Sequence, residues 1–356
     1  NAHICVADAC SAYLQAPADP RFPIHVTVPQ ACAPPGYDPK TQCLKLNKAV
    51  YGCKLAGTQW MKKWQAVLND CGFTELVHAR GVYQKSYGDG AIEVYAHVDD
   101  NVFSFDDHLG EEMMSVRRHI DAAVDMEWLG WDADAVFLGC RVRHSTTKCP
   151  RSGSTVTSIS LDMTKQIEHL AAAAGVVDDG KRAPATPATG KDLPPLEKLA
   201  PGTELTEHQR QYAVLLGTAL YIIRVVRLDL MWAIMRLAPF SSNPKEQHFD
   251  ELMRLIRYMY HTKDDVLRYT TGTTDINVYV DASFEGVGSR STSGVVVMMS
   301  GAAVVARSVR QSRMARSAAE AELYAFNLGL TVCKYIDTAM KEHGDMDTSI
   351  VVHCDN

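Results

Sequence analysis

Residues 94–105 read VYAHVDDNVFSF, and this stretch decides how the rest of the chain is interpreted. Two adjacent carboxylates, Asp99 and Asp100, lie between two apolar runs that are rich in strand-forming residues. The pattern predicts a strand, a tight acidic turn and a second strand. A divalent cation would neutralise the two neighbouring negative charges, although an ordinary surface turn explains the same pattern.

The composition is that of a soluble globular protein. The 356 residues suffice for two or three domains, and 46% hydrophobic with 22% charged residues are typical values. No apolar run approaches the roughly 20 residues that span a bilayer, and no basic-then-apolar leader opens the chain. We therefore expect a soluble intracellular protein with no membrane partner.

Cysteine spacing and net charge narrow the function only slightly. The ten cysteines include no CxxC pair, which argues against a zinc site or a disulfide framework and is typical of reduced thiols. The net charge of −6 argues weakly against nucleic-acid binding, because phosphates are contacted by Lys and Arg. Acidic catalytic clusters also lower the net charge of nucleic-acid enzymes, so composition leaves the question open.

A third carboxylate lies near the start of the chain. Residues 3–8 predict a strand that ends at Asp8, and Tyr13 follows five residues later. Taken alone, Asp8 is typical of a strand end or a helix cap. Phosphoryl transfer by two metal ions requires carboxylates that converge from separate strands, and Asp8, Asp99 and Asp100 supply such a set.

Residues 45–73, between these strands, predict an amphipathic helix. Thr58 is the predicted N-cap, and Gly72 follows the predicted end. The apolar residues at helical spacing, which we interpret as core packing, are Trp60, Trp64, Val67 and Leu68.

Two β-rich stretches and a helix follow the acidic hairpin. Residues 135–144, AVFLGCRVRH, predict a buried strand, and residues 155–161 predict another. The next helical face consists of Ile167, Leu170 and Ala171. Residues 178–201 carry several Pro and Gly residues and are interpreted as a flexible linker between domains.

The residues that follow this linker again predict helices. Thr206 is a predicted N-cap, and Asn243 with Pro244 predicts the start of a second amphipathic helix. The apolar face of that helix consists of Phe249, Leu252, Met253, Ile256 and Met259 or Tyr260. We interpret it as a surface docked on a core, without chemistry of its own.

The last eighty residues predict strand, strand, strand, helix, strand. Residues 276–281, INVYVD, alternate apolar and polar side chains and end at Asp281. Two β-rich runs follow at residues 294–300 and 303–307, then a helix from about Ser317 and a strand at residues 350–355. This order is similar to that of the ribonuclease H fold.

Several motifs resemble the reverse transcriptase and ribonuclease H region of copia-type LTR retrotransposon Pol polyproteins. VYAHVDD is similar to the family's YVDD box, with His97 where the family usually has Tyr. YGCKLAGTQW is similar to YGLKQAPRAW, and AVFLG to the strand FLGIEI. DASFEGVGSRSTSG, SAAEAELYA and HCDN are similar to DADWAGDKDDRKSTSG, SSTEAEYIA and YCDN. The resemblance covers nearly the whole chain.

The resemblance implies roles for the residues around the acidic hairpin. The catalytic and metal-binding residues of the polymerase would be Asp8, Asp99 and Asp100. Tyr13 would close the sugar pocket against a 2′-hydroxyl. The residues that would bind primer, template or nucleotide are Gly52, Lys54, Leu138 and Gly139. Gly52 permits close approach of the backbone to a base, Lys54 offers a charge to a phosphate, and the other two correspond to the primer-grip turn.

In the last eighty residues, the resemblance implies a nuclease. Its catalytic and metal-binding residues would be Asp281, Glu322 and Asp355. The arginines that recur every third residue before the helix are Arg307, Arg310, Arg313 and Arg316. These arginines either form a run of solvated charges or contact the phosphates of an RNA–DNA hybrid. Glu320 points about 200° away from Glu322 around a helix and is interpreted as a solvated or capping residue.

The expected fold class is an α+β reverse-transcriptase palm, thumb and connection, followed by a truncated α/β ribonuclease H-like domain. The predicted domains are a palm at 1–145 without its fingers, a thumb-like segment and linker at 146–200, a helical connection at 201–274 and the ribonuclease H-like domain at 275–356. The resemblance places the missing fingers before the chain and the fourth nuclease carboxylate after it.

The expected function is RNA-directed DNA polymerisation with an associated ribonuclease H, through two-metal phosphoryl transfer with Mg²⁺ or Mn²⁺. The expected partners are an RNA template, a DNA primer, an RNA–DNA hybrid and dNTPs, in a cytoplasmic virus-like particle or the nucleus. The sequence gives no oligomeric state. An inactive or domesticated remnant that binds nucleic acid is the main alternative, and a protein that acts only as a nuclease is another.

Overall fold

The computed structural model describes residues 2–88, 90–131, 135–148, 155–176, 182–197, 199, 203–270, 275–286, 289–344 and 348–355. The chain divides into two compact units, Asn1–Leu138 and Gly139–Asn356. The predicted domain boundary at 145 falls inside the second unit. The boundary at 274 and parts of the predicted linker lie outside the described residues, and the assignment of domains stays a prediction.

The first unit is built on a sheet with helices beside it. Its elements are β1 Ala2–Ala9, α1 Ala12–Gln15, β2 His25–Val26, β3 Leu44–Lys45, α2 Ala56–Asp70, β4 Thr74–Glu75, β5 Val82–Tyr87, β6 Gly90–His97, β7 Asp100–Asp106, α3 Gly110–Ala123, β8 Met126–Trp128 and β9 Ala135–Phe137, with 3₁₀ turns at Gln30–Cys32 and Asp107–Leu109.

The main sheet of this unit is antiparallel, and its strands follow the order β4-β5-β6-β7-β1-β8. Alternate residues of β7 are buried, including Phe103 and Phe105, as expected for a strand with one face on a core. Trp60 and Trp64 of α2 and Ile120 of α3 belong to the same core. The predicted strand–turn–strand at residues 94–105 is confirmed, with Asp99 in the turn and Asp100 opening β7.

The second unit combines helices with two groups of strands. Its elements are β10 Cys140–Lys148, β11 Thr155–Asp162, α4 Thr164–Ala173, α5 Glu207–Val225, α6 Met231–Leu237, α7 Glu246–His261, β12 Leu267–Thr270, β13 Ile276–Ser283, β14 Thr292–Met299, β15 Ala302–Arg310, α8 Ala318–His343 and β16 Ile350–His353, with 3₁₀ turns at Leu228–Leu230 and Ala238–Phe240.

Strands β10, β11 and β12 pair antiparallel in that order, and helices α4 to α7 share one core. The last sheet has the order β15-β14-β13-β16, in which β13 and β16 run parallel. Helix α8 packs on this sheet through Ala325, Val332 and Cys333. The predicted order of strand, strand, strand, helix, strand is therefore present. In the described ranges, no helix combines the length and apolarity needed to cross a bilayer.

Three predicted N-caps can be compared with the structure. Thr206 caps α5 as predicted, because its hydroxyl accepts from the Gln209 N–H while the Gln209 side chain accepts from the Thr206 N–H. The predicted cap Thr58 is wrong, since α2 begins at Ala56 and none of the described side chains caps its first turn. Ala56 is buried, so packing in the core fixes this start.

The predicted start of α7 at Asn243 and Pro244 is also wrong. The helix begins at Glu246, and the His248 side chain accepts from the Lys245 N–H at 2.9 Å. The Asn243 amide instead donates to the Glu197 carbonyl at 2.8 Å, so this side chain is used by a contact distant in sequence. Leu252, Ile256 and Met259 of the predicted apolar face are fully buried.

Gly329 allows α8 to lie close to β13. A Cβ at this position would overlap Val280 Cγ1 and lie 3.2 Å from Val278 Cγ1. We expect Gly329→Ala to lower the free energy of unfolding by about 1–3 kcal/mol in urea titrations, because an overpacked core must shift. Gly217→Ala is the matched control, since that helical position is open and alanine should stabilise it by up to about 1 kcal/mol. Equal effects at both positions would contradict the close packing.

Candidate active sites

The three carboxylates predicted for the polymerase converge at one end of two neighbouring strands. Asp8 near the end of β1 is directly opposite Asp100 at the start of β7. The Ala9 N–H donates to the Asp99 carbonyl at 2.9 Å, which joins the β6–β7 turn to the end of β1. His97 is exposed and pairs across the hairpin with Asp100. The structure therefore brings Asp8, Asp99 and Asp100 together.

The electrostatics of this group fit a divalent cation. Burial, followed by repulsion from Asp99 and Asp100, raises the pKa of Asp8. Burial and repulsion from Asp99 also raise the pKa of Asp100, and a hydrogen bond from the Leu138 backbone opposes the shift. Carboxylate oxygens are the ligands that Mg²⁺ and Mn²⁺ prefer. A cation held by Asp8, Asp99 and Asp100 would offset this repulsion.

These shifts predict how pH and metal affect stability. A carboxylate with a raised pKa binds more protons in the folded chain than in the unfolded chain. The stability that this group contributes is therefore lost as the pH rises from the ordinary pKa of the carboxylate through its raised pKa. We expect Mg²⁺ to raise the unfolding temperature more at about pH 7.5 than at about pH 4.5, because carboxyls with a raised pKa bind more protons as the pH falls. Calorimetry with and without Mg²⁺ measures this, and an equal rise at both pH values would contradict it.

The acidic turn has an unusual backbone. Val98 has a φ of 58°, in the left-handed region that β-branched residues rarely occupy. Asn101, which is fully buried, donates from Nδ2 to the Asp99 carbonyl at 2.8 Å. The sequence motif predicted a turn here but neither the strain at Val98 nor this contact.

Two tyrosines lie beside the carboxylates. The rings of Tyr13 in α1 and Tyr51 are tilted, with centroids 4.6 Å apart. Burial and the nearby Asp99 raise the pKa of Tyr51, yet 55% of its side chain is exposed. Tyr13 was a predicted site residue and Tyr51 was not, although Tyr51 stands directly before the predicted Gly52 in the same motif.

The remaining predicted polymerase residues lie in turns. Gly52 has a φ of 87°, and a Cβ there would meet nothing within 4 Å, so its backbone conformation rather than close packing favours glycine. Lys54 is exposed. Leu138 and Gly139 have φ values of 52° and 72°, which form a tight left-handed turn after β9. The Leu138 backbone hydrogen bond to Asp100 joins this turn to the carboxylates.

A second carboxylate group lies in the second unit. Asp281 is on β13, Glu322 is in the first turns of α8 and Asp355 follows β16. Glu322 Oε1 accepts from the Ala282 N–H at 3.2 Å, while Oε2 is buried and has no partner among the described residues. Burial, Asp281 and Asp355 raise the pKa of Glu322. An orphaned buried carboxylate oxygen beside two other acids fits a divalent cation.

Cys354 is a neighbour of this group that sequence reasoning missed. Possible ligand atoms of Glu322, Cys354 and Asp355 all lie within 4.8 Å of one another. Cys354 directly precedes the predicted Asp355 in HCDN, which was the available signal. Asp281 is not part of this tight trio but is close enough to influence Glu322 electrostatically.

The predicted arginines and Glu320 lie on β15, on α8 and between these two elements. Arg307 and Arg310 are exposed on β15 and, three residues apart on a strand, leave opposite faces of the sheet, while Arg313 is exposed after the strand. The structure therefore does not gather them into one row. Glu320 accepts from the Arg316 N–H at 2.7 Å and from the Tyr324 hydroxyl at 3.0 Å, which confirms its interpretation as a capping residue.

Comparison with known proteins gives a consistent result. The family described as Reverse transcriptase (RNA-dependent DNA polymerase) matches residues 1–152. Similar curated proteins include the Retrovirus-related Pol polyprotein from transposon RE1 of Arabidopsis thaliana, 25% identical over 335 residues, covering 91% of this chain and 21% of that protein. The corresponding polyprotein from transposon TNT 1-94 of Nicotiana tabacum is 24% identical over 327 residues, covering 89% and 23%.

The Transposon Ty1-BL Gag-Pol polyprotein of Saccharomyces cerevisiae is 24% identical over 358 residues, covering 96% of this chain and 19% of that protein. The chain thus spans about a fifth of the length of these relatives. A solved structure of a foamy viral protease-reverse transcriptase in complex with double-stranded DNA matches with a TM-score of 0.50 at 10% identity, covering 98% of this chain and 50% of that one. This likeness supports the fold of a reverse transcriptase.

Proposed function

We propose, since this chain belongs to the Pol proteins of copia-type LTR retrotransposons, that its first unit catalyses RNA-directed DNA synthesis. The observation that carries the proposal is the convergence of Asp8, Asp99 and Asp100 from neighbouring strands within the residues that match the reverse transcriptase family. Two carboxylates that face each other across paired strands, with a third in the adjoining turn, suit phosphoryl transfer better than a surface turn.

Each residue near this group has a proposed part. Asp8, Asp99 and Asp100 would hold Mg²⁺ or Mn²⁺, which when bound activates the primer 3′-hydroxyl and neutralises the triphosphate. The Tyr13 ring, supported by Tyr51, would exclude a 2′-hydroxyl by its bulk.

The turns beside the carboxylates would contact the nucleic acid. Gly52 offers an open backbone to a base, and the exposed Lys54 ammonium offers a charge to a phosphate. The turn at Leu138 and Gly139 would hold the primer end near Asp100, to which it is hydrogen-bonded.

We further propose a ribonuclease H activity in the second unit. Asp281, Glu322 and Asp355 would hold the metal ions that support hydrolysis of the RNA strand, and Glu322 Oε2, which has no partner among the described residues, supports this role. The order and pairing of β13 to β16 with α8 are those expected of the ribonuclease H fold. Because Arg307 and Arg310 leave opposite faces, a bound hybrid would contact only one of them, with Arg313 available beyond the strand end.

The proposed partners are an RNA template, a DNA primer, dNTPs and an RNA–DNA hybrid, and the proposed location is a cytoplasmic virus-like particle or the nucleus. The inactive-remnant alternative is not favoured, because the chain carries all six of the carboxylates predicted for the two sites, which are Asp8, Asp99, Asp100, Asp281, Glu322 and Asp355.

Primer extension on an RNA template, with dNTPs and Mg²⁺ or Mn²⁺, tests the proposal. We expect products that follow the template and that disappear in the double variant Asp99→Asn, Asp100→Asn. If the gene encodes residues before Asn1, the longer product is assayed in parallel. A folded protein that extends no primer in either form would contradict polymerase activity.

A further inference from the structure

We propose that Trp60 is a positioning residue that holds the Asp99–Asp100 turn in its metal-binding conformation. The inference rests on the proposed polymerase function and assigns a role to a side chain that its helical spacing marked only as core. Its basis is a single polar contact. The Trp60 indole N–H donates to the Val98 carbonyl at 2.6 Å, over a sequence separation of 38 residues.

The peptide groups of the turn are held from two sides. The Val98 carbonyl accepts from Trp60, and the Asp99 carbonyl accepts from the Ala9 N–H and the Asn101 side chain, at 2.9 and 2.8 Å. Both carbonyls are therefore fixed by neighbours that are themselves buried, since Trp60, Ala9 and Asn101 are each at most 1% exposed. Because these carbonyl groups are fixed, the backbone that carries the Asp99 and Asp100 side chains has a defined position relative to Asp8.

The turn needs such support because its backbone is strained. Val98 has a φ of 58°, which a β-branched residue leaves unless other contacts hold it. If the indole donor were lost, the Val98 peptide could rotate toward an ordinary conformation and displace the two carboxylates that follow it. A metal site tolerates little displacement, because its ligands must stay close to the productive geometry.

Trp64 provides a natural comparison. It is also fully buried in α2, and its ring stacks on Trp60 with centroids 6.0 Å apart and an interplanar angle of 11°. Its indole nitrogen, however, has no hydrogen-bond partner within the described part of the chain. The two tryptophans therefore share size, helix and burial but differ in the one contact on which the proposal rests.

The test compares Trp60→Phe with Trp64→Phe in the whole chain. Electron paramagnetic resonance measures Mn²⁺ binding, and Asp8→Asn identifies the part of that binding that belongs to the first unit. We expect Trp60→Phe to weaken this part about tenfold, as loss of a ligand-supporting contact does, and Trp64→Phe to change it less than twofold. In an active preparation, Trp60→Phe should lower kcat while leaving the KM for dNTP unchanged.

A rescue variant separates positioning from general packing. Glycine adopts a positive φ without strain, so Val98→Gly should restore most of the lost Mn²⁺ affinity in the Trp60→Phe background. A purely structural defect in the core would not be restored by that change. Wild-type Mn²⁺ affinity in Trp60→Phe, or loss without rescue, would overturn the proposal.

A second measurement needs no destabilising variant. In a ¹H–¹⁵N spectrum of the wild-type chain, the indole signal of Trp60 should be shifted downfield and protected from exchange, and it should persist in Trp64→Phe. Absence of such a signal would also overturn the proposal. Failure of the proposed function would give a different result from failure of this inference. If the first unit binds no metal, Asp8→Asn would remove no Mn²⁺ binding from the otherwise wild-type chain.

Discussion

Asp100→Asn is expected to lower metal-dependent primer extension on an RNA template by on the order of 10³-fold. Asparagine keeps the size of the side chain but removes the negative charge that would hold the cation opposite Asp8. The same change should not destabilise the chain without metal, because burial and repulsion from Asp99 already disfavour the charged form of Asp100. Single-nucleotide extension rates and urea unfolding, measured on one preparation, check both parts.

Asp106→Asn is the matched control for this experiment. Asp106 is at the opposite end of the same strand β7, seven residues long, and is distant in register from Asp8. Its replacement should leave extension within about twofold of the wild type, as expected for a surface change away from the site. Similar losses in both variants would mean that charge on β7 in general, rather than the group at its start, controls the reaction.

Glu322→Gln is expected to abolish cleavage of the RNA strand in an RNA–DNA hybrid, with a loss on the order of 10³-fold. Glutamine can still accept the hydrogen bond that the Ala282 N–H donates to Oε1, so the start of α8 should stay in place. The buried Oε2 would be replaced by an amide group that binds no cation. Cleavage of a labelled hybrid in Mg²⁺ or Mn²⁺ measures the loss, and primer extension should be unchanged.

Glu320→Gln controls for a general effect of removing an acid from this helix. Glu320 accepts from the Arg316 N–H and the Tyr324 hydroxyl, which is a capping role. Its replacement should lower the free energy of unfolding only slightly and leave hybrid cleavage intact. Equal loss of cleavage in the two variants would rule out a special role for Glu322.

Short sequence patterns predicted the secondary structure of their own residues well. The runs of strand-forming residues in 94–105 and the alternation in 276–281 identified strands, because one face of each sheet is buried and the other is not. Thr206 was correctly predicted as a cap because its partner in both hydrogen bonds, Gln209, lies only three residues away. Thr58 and Asn243 carry equally good capping chemistry, but burial of Ala56 and the contact to Glu197 decide those regions instead.

The carboxylates were predicted from motifs, whereas their supporting residues were not. Spacing shows that Trp60 is on the buried face of a helix, but it cannot show that the indole nitrogen reaches Val98. The Tyr51 ring contacts the Tyr13 ring although the two residues are 38 positions apart in the sequence, so the contact exists only in the folded unit. The spacing of the arginines left their contacts open, since a period of three places neighbours on one side of a 3₁₀ helix but on alternating sides of a strand.

The repulsion within the two carboxylate groups also has an evolutionary consequence. Asp8, Asp100 and Glu322 each have a raised pKa, so each destabilises the metal-free folded chain at neutral pH. A lineage freed from selection for activity would gain stability by exchanging any of them for a neutral residue, and random substitution would make such exchanges common. We therefore expect a related chain that has lost its activity to carry a neutral residue at one or more of these three positions.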